Sequence, residues 1–266
     1  MASFTAKEVA ELRKRTGAGI LDCRQALEET EGDIEKAEQW LREKGKISAG
    51  KRADRERAEG AVAVVVDGPV GAIVALECET DFVAKSAEFV QLVDELAAEL
   101  AAGGEPALAA QGERVEKLAV ALKENIAVGR SMRFDSPDGA VMGSYLHIQN
   151  GRGVNAVLVE LNGGSHELAH DIAVHIAFTR PEYVRREDVP EAAVAAERQT
   201  VEAIARNEGK PDAALPKIIE GRLNGWFKDR CLLEQPYVRD EKKTIADLLS
   251  DGGVELRRFA QVVVGS

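Results

Sequence analysis

Residues 61–76 read AVAVVVDGPVGAIVAL, two apolar runs of strand length on either side of Asp67-Gly68. β-Branched residues are frequent in both runs, and Asp-Gly between such runs is a hairpin signal. A loop and a helical pattern over 86–102 follow, so the local order is strand, turn, strand, helix. The same order recurs downstream: an apolar run over 141–149, Asn150-Gly151, a second run over 154–161, Gly163-Gly164, then a helical pattern over 165–179. The repeat predicts an α+β chain with two related subdomains, each an antiparallel sheet burying one face under a helix. A helix over 113–126 and a strand over 131–134 complete the first subdomain, and a strand over 256–264 returns to the second after a helix over 245–249.

Outside the repeat, Thr5-Ala6-Lys7-Glu8 has the form of a capping box, and apolar positions then recur at helical spacing until Gly17-Ala18-Gly19. A second helix over 20–29 and a third opened by Asp33 and closed at Gly45 make a small three-helix bundle. Residues 46–59 are rich in charge and poor in large apolar side chains, which reads as a linker that is helical in part. Patterns over 190–207 and 212–229, separated by Gly209-Lys210-Pro211, predict a helical hairpin whose second arm carries the stripe Leu215, Ile219, Leu223 and Trp226. The expected divisions are 1–54 (bundle and linker), 55–140 (first core subdomain), 141–184 with 231–266 (second), and 185–230 (hairpin).

The 266 residues include 46 acids against 35 Lys and Arg, a net charge of −11. That balance argues against a direct nucleic-acid or anionic-membrane partner, because phosphate binding rewards clustered cations. No apolar stretch approaches the roughly 20 residues that cross a bilayer, and MASFTAKEVAELRKR has no signal-peptide core, so a cytoplasmic protein is expected. Cys23, Cys78 and Cys231 are odd in number and far apart, the pattern of reduced buried thiols rather than a disulfide framework or zinc site.

Function is read first from Cys-Glu-Thr-Asp-Phe-Val-Ala-Lys at 78–85, where an acid and a large ring stand together directly after a strand. A lone Phe there usually turns back into its own core. A second segment points the other way. Residues 12–27, LRKRTGAGILDCRQAL, strongly resemble the N-terminal signature of the bacterial elongation factor Ts family, and ETDFVAK at 79–85 looks like its second signature. The resemblance covers nearly the whole chain and implies a translation elongation factor, not an enzyme, that binds elongation factor Tu in its GDP-bound and nucleotide-free forms. It implies GDP release through disturbance of the Mg2+ site and the phosphate loop, without a cofactor or metal of its own. It also implies that the bundle is ubiquitin-associated-like.

Carried onto matching positions, the resemblance makes Arg13, Ile20, Leu21 and Arg24 contacts with the nucleotide domain of the GTPase. Thr80, Asp81, Phe82 and Val83 form the working segment: Phe82 enters an apolar slot while Asp81 competes for polar partners. Ile126 and His147 are further contacts, the second subdomain grips another domain of the GTPase, and a second copy of the chain is kept as a further partner. Arg24 stands where the family usually has Lys, and Ala75 and Glu77 where Glu and Asn are more typical. The sequence ends at Ser266, where many relatives continue into a C-terminal helical module, whose contacts are then missing.

Two other classes are weighed beside this. His166-Glu167-Leu168-Ala169-His170 fits HExxH, the zinc-peptidase helix. Gly163-Gly164-Ser165 ahead of it makes Ser165 an N-cap and sets His166 in the first turn, with His166 and His170 opposite the stripe of Leu168, Ile172 and Ile176 and facing solvent. His175 lies off that face and reads as core. Gly151-Arg152-Gly153 links strand to strand, so it is a turn rather than a phosphate cradle. The remaining class is an adaptor whose bundle binds ubiquitin-like or peptide ligands without acting on nucleotides; the Asp81-Phe82 pair argues against it.

Overall fold

The computed structural model describes residues 4–50, 52, 54–137 and 139–265. Helices α1 (Ala6–Thr16), α2 (Ile20–Glu29) and α3 (Ile34–Gly50) form the bundle around Leu12, Cys23, Leu27, Ala37 and Leu41. The capping box predicted at Thr5 is present with Glu8 at its third position, and Gly17 ends α1 in the left-handed region at φ 67°. Gly45 does not close α3, which continues for another turn. A Cβ at Gly45 would lie 2.5 Å from Val120 Cγ1, so the missing side chain lets the helix approach a neighbour and is not a stop signal.

The hairpin of β1 (Glu59–Asp67) and β2 (Val70–Cys78) turns at Gly68-Pro69, one residue later than the sequence suggests, because Asp67 still pairs with Val70. The short helix α4 (Asp81–Ala84) precedes α5 (Ala87–Ala109), which is longer than expected and kinked at Gly104, with φ 69° and ψ −164°. Helix α6 (Gly112–Leu122) leads into β3 (Ala127–Asp135), which pairs with β2 to give the antiparallel order β1-β2-β3.

The second sheet contains β4 (Ala140–Gln149), β5 (Arg152–Asn162) and β8 (Glu255–Val263) in antiparallel order β4-β5-β8, with α7 (His166–Thr179) packed on β4 and β5. The β4–β5 turn is Asn150-Gly151, both with positive φ (53° and 80°), as a two-residue hairpin of that handedness requires. Helices α8 (Glu191–Asn207) and α9 (Leu215–Arg230) pack together around Val201, Ala205, Leu215, Ile219, Leu223 and Phe227. Phe227, not Trp226, completes the stripe; Trp226 lies at its margin under the Arg230 guanidinium, 4.7 Å from the ring centroid. A polar hairpin, β6 (Pro236–Tyr237) and β7 (Asp240–Thr244), and helix α10 (Ile245–Asp251) return the chain to β8.

The two sheets do not each bury one face alone. Ala61, Ala63, Ala72, Val74 and Leu76 face α5, while their neighbours Val62, Ile73 and Ala75 meet Met142, Ala156, Leu158, Ala260 and Val262 of the other sheet. On its far side that second sheet presents Val157, Val159 and Leu161 to α7 and α10. The core is thus four layers: helix, sheet, sheet, helix. Strands buried on both faces read as continuous apolar runs, which is why residues 61–66 and 71–76 scarcely alternate. A side chain at Gly153 would overlap the Val62 carbonyl, so this glycine sets how closely the sheets meet. Nearby Arg152, almost wholly buried, crosses the seam to donate to Gly60 O at 2.7 Å and to Glu59 at 2.6 Å.

On the buried face of α7, His175 is hydrogen-bonded on both ring nitrogens: Val238 N donates to Nδ1 at 3.4 Å, so Nε2 carries the proton and donates to Gln235 Oε1 at 3.0 Å. Burial pushes its pKa below the ordinary histidine value, against a smaller opposing effect of the Gln235 bond. The three thiols are buried as well; burial raises Cys23 and drives Cys78 up to about 12 and Cys231 up to about 11.

Because the folded His175 resists a proton that the unfolded chain accepts below about pH 6.5, its contribution to stability is present above that pH and is lost as pH falls. Urea unfolding midpoints should therefore decrease between pH 7 and pH 5. In His175→Gln part of that slope should disappear; an unchanged slope would exclude His175 as its source.

Candidate partner-docking site

The segment after β2 is shaped by its own polar groups. Thr80 N-caps α4, its Oγ1 accepting from Val83 N at 3.4 Å, so the chain turns sharply at the strand exit and carries the next side chain outward. Phe82 is 82% exposed, whereas Ala84 two residues on is fully buried. Val83 packs partly against the core under α5, and Thr80 lies at the surface. Asp81 pairs with Lys85, whose hydrogen bond holds its carboxyl below the usual carboxylate range; the Lys85 ammonium also sits 6.0 Å from the Phe82 ring centroid.

What fixes this turn lies far along the chain. Glu124 Oε2 accepts from the backbone N–H groups of Glu79 (3.0 Å) and Thr80 (3.1 Å), and its Oε1 accepts from the Thr80 hydroxyl at 2.5 Å. In return Asn125 N donates to Glu79 Oε1 at 2.7 Å, the largest cause of the lowered Glu79 pKa, and Asn125 Nδ2 donates to Arg55 O at 2.7 Å. Sequence reasoning does not find Glu124 or Asn125. They sit about 45 positions from Glu79 and Thr80 and 70 from Arg55, just past the end of α6, where an acid and an amide are unremarkable.

A second exposed apolar surface lies at the N-terminus of α2, where Ile20 is 57% and Leu21 80% exposed while Cys23 and Ala26 of the same helix are buried. Arg13 and Arg24 are exposed on the same bundle, and Arg24 Nε reaches Glu28 at 3.2 Å. The other expected positions lie elsewhere. Ile126 is buried in the core beneath α5 and does not present a surface side chain. His147 is exposed near the end of β4, its Nδ1 3.2 Å from the Tyr145 hydroxyl, beside exposed Ile148.

The HExxH segment has a different geometry from the one its sequence suggests. Ser165 does N-cap α7, accepting from Leu168 N at 3.1 Å, and both histidines are exposed. Neither ring is free, however: His166 Nδ1 donates to Met142 O at 3.0 Å and His170 Nδ1 donates to Ser144 O at 2.7 Å. Between them Ala169 presses onto Gly143, where a Cβ would come within 2.5 Å of it. The two rings therefore cap carbonyls of an edge strand and pin α7 along it. Among the described residues no three His, Cys, Asp or Glu side chains converge as a metal cluster would require. Among the same residues no helix is long and apolar enough to cross a membrane.

Comparison with known proteins bears on most of the chain. The family described as "Elongation factor TS" matches residues 79–266, and "Elongation factor Ts, mitochondrial, N-terminal" matches residues 1–49. The chain is 46% identical over 273 residues to the elongation factor Ts of Mycobacterium ulcerans and 45% identical over 277 residues to that of Acidothermus cellulolyticus. It is 44% identical over 279 residues to that of Thermobifida fusca. Each similarity covers 100% of this chain and 99% of the relative.

Removing both rings with His166→Ala and His170→Ala should lower stability by about 1–3 kcal/mol, since two hydrogen bonds to strand carbonyls are lost at ~0.5–1.5 kcal/mol each. Urea unfolding measures the loss. Elemental analysis of the same preparations should find no difference in zinc; stoichiometric zinc in the wild type, absent from the variant, would restore the metal reading.

Proposed function

The chain belongs to the elongation factor Ts family of translation elongation factors, and on that premise we propose that it binds elongation factor Tu and promotes GDP release without catalysing covalent chemistry. The observation that carries this reading is the exposed Phe82 ring, held outward by a capped turn at a strand exit. An apolar ring left in water has unfavourable free energy that a partner pocket removes, and buried aromatic anchors dominate many interfaces. Phe82 enters an apolar slot of the GTPase, and Asp81 exchanges Lys85 for polar partners there. Movement of that slot disturbs the Mg2+ site and the phosphate loop, both of which hold the diphosphate.

Arg13, Ile20, Leu21 and Arg24 of the bundle lie against the nucleotide domain, and residues around His147 on the second sheet meet another domain of the GTPase. Ile126 supports this surface from within the core. Binding of the factor and of GDP are then negatively coupled. Whatever ratio the factor imposes on GDP affinity, GDP imposes on the factor, so the pair cycles with no reaction in this chain.

Stopped-flow release of fluorescent GDP from elongation factor Tu, with and without the protein, tests this directly. Phe82→Ala should leave stability within about 0.5 kcal/mol, as exposed positions usually do, yet remove about 2 kcal/mol or more of interaction, roughly thirtyfold in exchange efficiency. Loss of the fold, or full activity in a folded variant, would remove Phe82 from the mechanism. Leu21→Ala should likewise weaken binding while leaving the unfolding midpoint in place.

A further inference from the structure

The two exposed apolar surfaces are physically joined through three consecutive residues. Lys123, in the left-handed region at φ 59° just past α6, extends its ammonium to Asp22 Oδ2 at 2.6 Å, next to Leu21 in the first turn of α2. The following residue, Glu124, grips the backbone of Glu79 and Thr80, and Asn125 holds Glu79 and the carbonyl of Arg55. A path of hydrogen bonds and one ion pair thus runs from the residue after Leu21 to two residues before Phe82. Apolar fit accompanies it: Val120 and Ala121 of α6 seat against glycines of the bundle, where a Cβ at Gly45 would lie 2.5 Å from Val120 and one at Gly17 3.3 Å from Ala121. Arg42 adds a second ion pair to Glu113 at 2.5 Å on the same helix.

We propose that Lys123, Glu124 and Asn125 form a positioning element that holds the Ile20-Leu21 surface and the Phe82 turn at a fixed separation, so that both engage one partner at once. The proposal rests on the exchange reading above. A rigid spacing matters because two surfaces presented in register bind without the ordering cost that a freely moving bundle would incur. The charged segment after α3 supplies no such rigidity by composition. Among its described residues, Arg55 reaches Glu79 at 3.2 Å and Arg57 reaches Glu77 at 3.3 Å, both on the core side of the segment. In this proposal the three residues act through the surfaces they hold.

Charge exchange across the Lys123–Asp22 pair tests the proposal in the full chain. Both side chains are partly solvated, so Lys123→Glu should leave the unfolding midpoint in place. It should raise the half-saturating concentration in GDP release by roughly three- to tenfold while changing the maximal rate little. Adding Asp22→Lys to Lys123→Glu should restore most of that loss, which a merely structural or surface-charge effect would not do.

An independent readout needs no partner. Spin labels on Glu28→Cys and Glu88→Cys, with the native thiols buried, should give a narrow distance distribution that broadens in Lys123→Glu and narrows again in the swap. A broad distribution in the wild-type background, or one indifferent to the charge reversal, overturns the proposal. So does exchange by Lys123→Glu at wild-type half-saturation. If the wild type accelerates no GDP release, the exchange reading fails, while the distance measurement still decides whether the element holds the two surfaces in place.

Discussion

Burial of both faces of β1, β2 and β5 is the constraint from which the rest of the architecture follows. A three-stranded sheet with one wet face could tolerate polar alternation, but here Val62, Ile73, Ala156 and Leu158 must be kept from water on the side opposite the helices. Only another sheet, brought close, does that. The approach depends on Gly153 lying under the Val62 carbonyl and on Gly71 lying against Leu158 and Met142, positions where any side chain would push the layers apart. Polar groups trapped near the seam are then obliged to pair. Arg152 bonds to Glu59 and the Gly60 carbonyl, and Glu160, 1% exposed, is met by both Arg257 and Arg258 because the bulge opposite Glu160 and Leu161 brings two successive side chains to it.

The segment proposed to dock leaves those layers at the end of β2 and is fixed by contacts from outside its own sheet. β2 is paired with β1 up to Cys78, and the turn that follows is set by a threonine cap and a carboxylate from another part of the chain. Strand pairing up to Cys78 and a largely exposed ring four residues later suit a binding anchor, because a ring on a fixed turn loses little freedom on association. The bundle follows the same logic on a smaller core: a few buried residues of α2 fix the helix whose opposite face presents Ile20 and Leu21.

Much of this was legible in sequence wherever the cause is local. Thr5 and Glu8 announce a helix start, Asn150-Gly151 a tight turn, Ser165 a cap, and the repeat of strand, turn, strand, helix announces the α+β class. Phe82 and Leu21 could be singled out because signature segments surround them. What was not legible is non-local. Gly45 looks like a helix stop until Val120 is seen against it, and the exposed His166 and His170 show nothing of their bonds to carbonyls of β4 until the fold brings that strand beneath them. Glu124 is one more surface acid until the fold carries it to residues 79 and 80. The packing of sheet on sheet left a trace in the failure of residues 61–76 to alternate, but that pattern does not say what covers the second face.

The distribution of the three thiols has a consequence for how the molecule opens. Cys23 lies in the bundle core, Cys78 in the layer between the first sheet and α5, and Cys231 where the α8–α9 pair joins the second sheet, so three separate packed regions each hold one thiol. Thiolate is the reactive form, and burial suppresses it at all three positions. Reaction with an added disulfide or alkylating reagent must therefore wait for the surrounding region to unfold locally, and the three sulfurs act as separate clocks for three openings. The native chain thus carries internal reporters able to resolve which of its regions breathes first, without a substitution that would disturb the packing under observation.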